Sequence, residues 1–234
     1  MKTLKKIFYV TLIFLAFVSC KKDQSDPELE ENARTEITAK ELAEYYIVSE
    51  DKVAQNATKG LLTLFYFRIS GENVNVTRDA AGGSRLISRV RFSDNEFRFE
   101  TISQHYSFKM IRAENGQLRL TEYSRQDNNN THAGIIHAEI YKKSDAPVFL
   151  DKTFKDIDGP QSYLKVTTDE KYKWNDSPNF GTFDKTYVKL QNFGWKGNGA
   201  DYYGAIVKNW RNYNHPVMLM HSEQGNVLRI FKEF

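Results

Sequence analysis

The chain has 234 residues, 40% of them hydrophobic and 14% aromatic, with 33 Lys+Arg, 30 Asp+Glu and one cysteine. One cysteine excludes an intrachain disulfide framework. The formal charge of +3 belongs to Lys2, Lys5 and Lys6; from residue 20 onward 30 Lys+Arg face 30 Asp+Glu, which gives no electrostatic ground for a nucleic-acid partner.

In chain order, Met1–Lys6 is a short basic stretch, and residues 7–18 are uncharged and almost wholly apolar. That run is shorter than the roughly 20 residues a membrane-spanning helix needs. It has the layout of a secretory signal, which assigns residues 1–19 to a cleaved signal peptide. The following Ser19-Cys20 resembles the lipobox of bacterial lipoproteins, in which the cysteine becomes the first residue and carries acyl chains. Val18 and Ser19 fit the pattern, whereas Phe17 stands where an aliphatic residue is usual. The resemblance implies lipidation at Cys20 and attachment to a membrane of the cell envelope, the outer membrane being the expected one. Several acyl chains hold firmly because each buried methylene contributes about 0.8 kcal/mol.

Residues 20–36 are polar and acidic, too poor in apolar side chains to form a core, and read as a flexible tether. The stretch Lys21-Lys22-Asp23, with Glu28, Glu30 and Glu31 behind it, is similar to charged segments in lipoproteins of the Bacteroides–Flavobacterium group that send them to the cell surface. A plain solvated spacer accounts for the same composition, so the side of the membrane stays open.

Thr38-Ala39-Lys40-Glu41 has the form of a capping box. With Leu42, Tyr45 and Tyr46 at helical spacing it predicts one short helix over about 39–48, running toward Ala57 and ended by Gly60. From Leu61 the period changes to two. Leu61–Ile69 is apolar on both faces and predicts a buried strand. Val74 and Val76 follow the turn Gly71-Glu72-Asn73. Beyond Gly82-Gly83, Leu86, Ser88, Val90 and Phe92 alternate with Arg85, Arg89 and Arg91. Phe97/Phe99 and Tyr106/Phe108/Met110 continue the alternation. Asn115-Gly116 is the strongest hairpin signal in the chain, and Ile135–Tyr141 forms a further strand. Turn signals every 8–12 residues mark an antiparallel meander.

Ser144-Asp145-Ala146-Pro147 interrupts the pattern and suggests two lobes, 37–143 and 149–234, with a single larger barrel or sandwich as the other arrangement. The second lobe predicts strands at 163–167, 185–191, 202–208, 217–221 and 227–231, separated by Gly-, Asn- and Asp-rich loops.

Chemistry-bearing patterns are sparse. His132 and His137 are five residues apart, which puts them on opposite faces of a regular strand, and His105, His215 and His221 lie apart, so neither a metal nor a cofactor is implied. No Gly-x-Ser-x-Gly turn occurs. Acidic pairs such as Asp156 with Asp158, or Asp169 with Glu170, are the only footing for glycoside hydrolysis. The best ligand-binding candidates are aromatic: Trp195 in the Gly-rich segment 193–201, with Tyr202, Tyr203 and Trp210 close by and Trp174 flanking another loop. Such faces stack on sugar rings or apolar ligands. The simpler role for them is to close a core while the glycines make turns.

The expected class is therefore all-β, an antiparallel meander forming a barrel or sandwich with one short N-terminal helix. The strand pattern of the first lobe resembles the calycin or lipocalin-like meanders of envelope lipoproteins, which implies a small apolar ligand inside a barrel. The function read from the sequence is a lipid-anchored, non-enzymatic binding or structural protein whose partner is a glycan, a small apolar ligand or another envelope protein. Substituting Cys20→Ala should move the protein from the membrane to the soluble fraction; retention of the variant on membranes would remove the anchor assignment.

Overall fold

In the computed structural model the predicted helix is cut short. Helix α1 spans only Ala39–Leu42, capped by the Thr38 hydroxyl, which accepts from the Glu41 amide at 3.1 Å. The Glu41 carboxylate does not complete a capping box. It accepts instead from Arg112, at 2.5 and 2.8 Å. The predicted continuation is a strand, β1 (Tyr45–Lys52), buried over nearly its whole length. Tyr45 and Ile47 enter one core, and Tyr46 and Val48 another. Aromatic and β-branched residues buried on both sides suit a central strand, and pairing with two neighbours overrides the local helical spacing.

The structure describes residues 36–52, 60–71, 73–80, 83–87, 90–127, 134–198, 202–222 and 227–234. The signal segment, Cys20, the tether up to residue 35, Ala57, Ser88, Arg89 and His132 lie outside the described residues. Residues 37–234 form one compact unit.

Eight more strands follow β1 in its first half: β2 (Gly60–Ser70), β3 (Asn73–Ala80), β4 (Gly83–Ile87), β5 (Val90–Ser93), β6 (Glu96–Glu100), β7 (Gln104–Arg112), β8 (Leu118–Asp127) and β9 (Ile135–Lys142). They divide into two antiparallel sheets, ordered β4-β3-β2-β1-β9 and β5-β6-β7-β8. The arginine-bearing stretch expected as one strand is split between β4 and β5, so Arg85 and Arg91 sit on different sheets, both exposed. Phe65 and Phe67 of one sheet meet Phe97, Phe99, Tyr106 and Phe108 of the other to fill the space between them.

The second half is an eight-stranded closed barrel: β10 (Thr153–Asp156), β11 (Tyr163–Val166), β12 (Lys171–Asn175), β13 (Lys185–Leu190), β14 (Gly194–Gly197), β15 (Tyr203–Val207), β16 (Val217–Ser222) and β17 (Val227–Glu233), with β17 pairing back to β10. The full barrel thus lies in the C-terminal half, whereas the sequence pattern suggested barrel-like character for the N-terminal one. Three of its strands, β10, β12 and β14, fall outside the predicted set. They read Thr-Phe-Lys-Asp, Lys-Tyr-Lys-Trp-Asn and Gly-Trp-Lys-Gly, short segments whose lysines and glycines mask the alternation.

Alternation along β15–β17 gives this wall two buried faces. Ile206, Met218, Met220 and Phe231 point into the barrel. Ala205, Val207, Leu219, Leu228 and Ile230 point outward onto Tyr46, Val48, Leu62 and Leu64 of the five-stranded sheet. Polar groups stitch the same contact. The Tyr46 hydroxyl donates to the Ile206 carbonyl at 2.7 Å, and that of Tyr203 to the Leu62 carbonyl. Buried Asp79 pairs with Lys196 at 3.2 Å and buried Glu50 with Arg211.

Lys143 begins the short connection between the halves, and its ammonium donates to the carbonyls of Ala43 (2.7 Å) and Phe67 (3.2 Å). Burial, with Arg68 adding to it, lowers its pKa to about 8. Between about pH 8 and 10 the unfolded chain holds a proton that the folded protein has shed, so this group makes stability rise with pH in that window. Above it the buried tyrosines Tyr46, Tyr66 and Tyr141, whose pKa values burial raises, act in the opposite direction. Urea midpoints measured from pH 7.5 to 10 should climb more steeply for the native chain than for Lys143→Met; parallel curves would rule this account out.

Candidate functional site

Strands of an up-and-down barrel put alternate connections at opposite ends. The ends of β10, β12, β14 and β16 and the starts of β11, β13, β15 and β17 therefore share one rim. At that rim a pocket of about 380 Å³ opens into the barrel, lined by Tyr172, Trp174, Lys185, Tyr202, Met220 and Arg229 among others. Tyr172 and Trp174 are two residues apart on β12, so both face inward. Tyr172 is buried, while Trp174 and Tyr202 are half-buried.

The ring planes of Trp174 and Tyr202 are 75° apart with centroids at 6.2 Å, forming a corner. The Arg229 guanidinium lies over the Trp174 ring at 4.9 Å, and the Lys185 ammonium over Tyr202 at 5.1 Å. Both fall within cation–π range.

Arg229 is fixed from behind. Its Nε donates to Asp156 at 2.7 Å, its Nη2 donates to the same carboxylate oxygen, and the Asp156 side chain has no solvent exposure. Ser162 donates to that oxygen as well (3.3 Å), and the Asp158 amide to the other (2.9 Å). Asp156 is thus an acceptor for two groups of the β10–β11 connection and one cation, which commits its carboxylate to structural bonds. Asp169 is likewise held, by Thr167 and Lys171 in an exposed turn, so neither acidic pair singled out in the sequence forms a cleft dyad.

Below the pocket the barrel is filled. Trp195 is fully buried, with its ring 4.7 Å from that of Tyr172. Two glycines make the room for these rings. A Cβ on Gly204 would stand 2.8 Å from the Trp195 indole nitrogen, and one on Gly197 2.8 Å from the Tyr172 hydroxyl. Gly197, which reads as a loop residue, and Gly204, inside a predicted strand, therefore both clear space inside strands.

Of the five aromatic residues proposed from the sequence, only Trp174 and Tyr202 border the pocket. Trp195 lies on β14, not on a loop, and belongs to the barrel core. Tyr203 and Trp210 belong to the core between the barrel and the five-stranded sheet, where Tyr203 stacks on buried His221. Tyr172, Lys185 and Arg229 are additions. Arg229 had a visible signal, because it is a lone charge in Leu228-Arg229-Ile230-Phe231, on the same strand face as Phe231.

A second, larger cleft of about 500 Å³ lies where β8, β9 and the connection after β15 meet, with Tyr46, His137, Glu139, Tyr141 and Lys208 on its walls. Its polar groups are largely bonded to one another. The Tyr141 hydroxyl bridges Glu139 (2.7 Å) and the Asn209 carbonyl (2.6 Å), and Asp145 meets both Lys208 (3.2 Å) and Gln117 (2.8 Å). The barrel rim, with two half-buried aromatic rings and the exposed Lys185 on one pocket, is the better binding geometry.

No family model matches the sequence, and no curated protein matches it. Among solved structures, a chain from Bacteroides fragilis provisionally described as an outer membrane protein is similar at 10% identity, covering 83% of this chain and 98% of that one, with a TM-score of 0.28. A score of that size leaves the two folds largely unaligned, so the likeness assigns neither fold nor function.

The Asp156–Arg229 pair anchors one wall of the pocket. Asp156→Asn leaves a largely buried guanidinium without its counter-charge and should cost about 3 kcal/mol of stability, read as a fall in the urea midpoint. An unchanged midpoint would mean that the pair does not hold the rim.

Proposed function

We propose that this protein is an exported, lipid-anchored binding protein of the cell envelope that takes a small ligand at the mouth of its C-terminal barrel. The observation that carries this reading is the rim pocket, where Trp174 and Tyr202 meet as a corner beside two cations. Aromatic faces supply contact area at little entropic cost, and a few placed polar groups supply orientation. A barrel that is filled below and open above offers such a site on a rigid support.

The sequence complements this. The Cys20 lipobox and the polar stretch to residue 36 would attach the β-body to a membrane while leaving it room to face solvent. One carboxylate of each pair that kept glycoside hydrolysis open, Asp156 and Asp169, is engaged in structural bonds, which favours binding over catalysis.

Trp174→Ala removes one wall of the corner. Against a glycan array and the apolar dye anilinonaphthalene sulfonate, whichever probe the native chain binds should bind the variant about tenfold more weakly, the equivalent of one aromatic contact. Equal binding by both would exclude the rim as the site.

A further inference from the structure

We infer that the barrel mouth recognises a carboxylated sugar, its ring seated in the Trp174–Tyr202 corner and its carboxylate on Lys185; this rests on the binding role proposed above. Shape is the first ground. Trp174 and Tyr202 stand 75° apart, and Tyr172 and Tyr202 51° apart. These pairs are not parallel plates, so a flat polycyclic ligand gains no sandwich from them. A puckered ring with C–H faces and outward hydroxyls can lie against two inclined aromatic walls at once. At about 380 Å³ the pocket is near the lower end of the range for small-molecule sites, which suits one or two sugar rings better than a long chain.

Charge is the second ground. Each of these rings carries a cation over one face: Arg229 over Trp174, and Lys185 over both Tyr202 (5.1 Å) and Tyr172 (6.0 Å). A cationic ligand would meet two like charges there. Arg229 is neutralised by Asp156, whereas among the described residues the Lys185 ammonium makes neither an ion pair nor a hydrogen bond. One cation is therefore left for a ligand, matching a singly charged carboxylate. Asp176, exposed on the rim, opposes that charge from the solvent side. Asn175 is turned inward on its own loop, bonding the Asn179 carbonyl and the Asp176 amide, which leaves Lys185 as the principal specificity group.

The test is calorimetric titration of the full mature chain, in detergent, with N-acetylneuraminic acid, glucuronic acid, N-acetylglucosamine and glucose. At least one acid should bind about tenfold or more tightly than both neutral sugars, as expected for a charge-assisted hydrogen bond. Lys185→Met should abolish that preference, Lys185→Arg should retain part of it, and Asp176→Asn should tighten binding of the acid. Which acid wins distinguishes a sialylated glycan from a uronate polysaccharide. Equal binding of acids and neutral sugars, or an acid preference that survives in Lys185→Met, would overturn the carboxylate assignment while leaving the rim site standing. Sugar binding unaltered by Trp174→Ala would instead overturn the site itself.

Discussion

The structure depends on one sheet with two apolar faces. β1 and β2 bury Ile47, Phe65 and Phe67 on one side and Tyr46, Val48, Leu62 and Leu64 on the other. The first set closes the N-terminal sandwich. The second provides the surface on which the barrel wall β15–β17 lies. Because hydrophobic burial scales with apolar area removed from water, neither half can withdraw from this sheet without exposing a core-sized apolar face. The buried pairs Asp79–Lys196 and Glu50–Arg211 add direction to a contact that packing alone would leave free to slide.

That contact also settles which part of the barrel can serve a ligand. The wall β15–β17 is committed to the sheet on its outer face and to the filled interior on its inner face. The barrel interior is occupied by Phe154, Tyr187, Trp195, Met218 and Phe231. What remains open is the rim, where β12 ends and β17 begins. There the filling gives way to half-buried Trp174 and Tyr202 and to a cation fixed by a buried carboxylate. A rigid scaffold that carries aromatic and charged groups at one end is a common way to place a binding site.

Sequence reasoning succeeded where the period was clean. Asn115-Gly116 forms the β7–β8 turn, and the two-sided apolar run at 61–69 is a central strand. It misplaced the helix because Leu42, Tyr45 and Tyr46 fit a helical spacing, while the pairing of β1 with both β2 and β9 is a long-range matter that no local pattern reports. It overlooked β10, β12 and β14 because they are short, lysines stand beside their inward aromatics, and in β14 Trp195 follows a glycine. Two of those strands carry Trp174 and Trp195, which is why Trp195 reads as a loop residue and Trp174 as the flank of another loop.

By itself the sequence determined the all-β class, the antiparallel strand pattern, the single cysteine at the end of an apolar stretch and the balance of charge beyond it. These are local or compositional properties, and period two survives wherever one face is buried. Only the tertiary structure decided which aromatic rings are core and which line a pocket. Trp174 and Trp195 look alike in sequence, each beside lysine in a short strand; their separation into rim and interior follows from barrel closure, which sets how deep along the axis each residue lies.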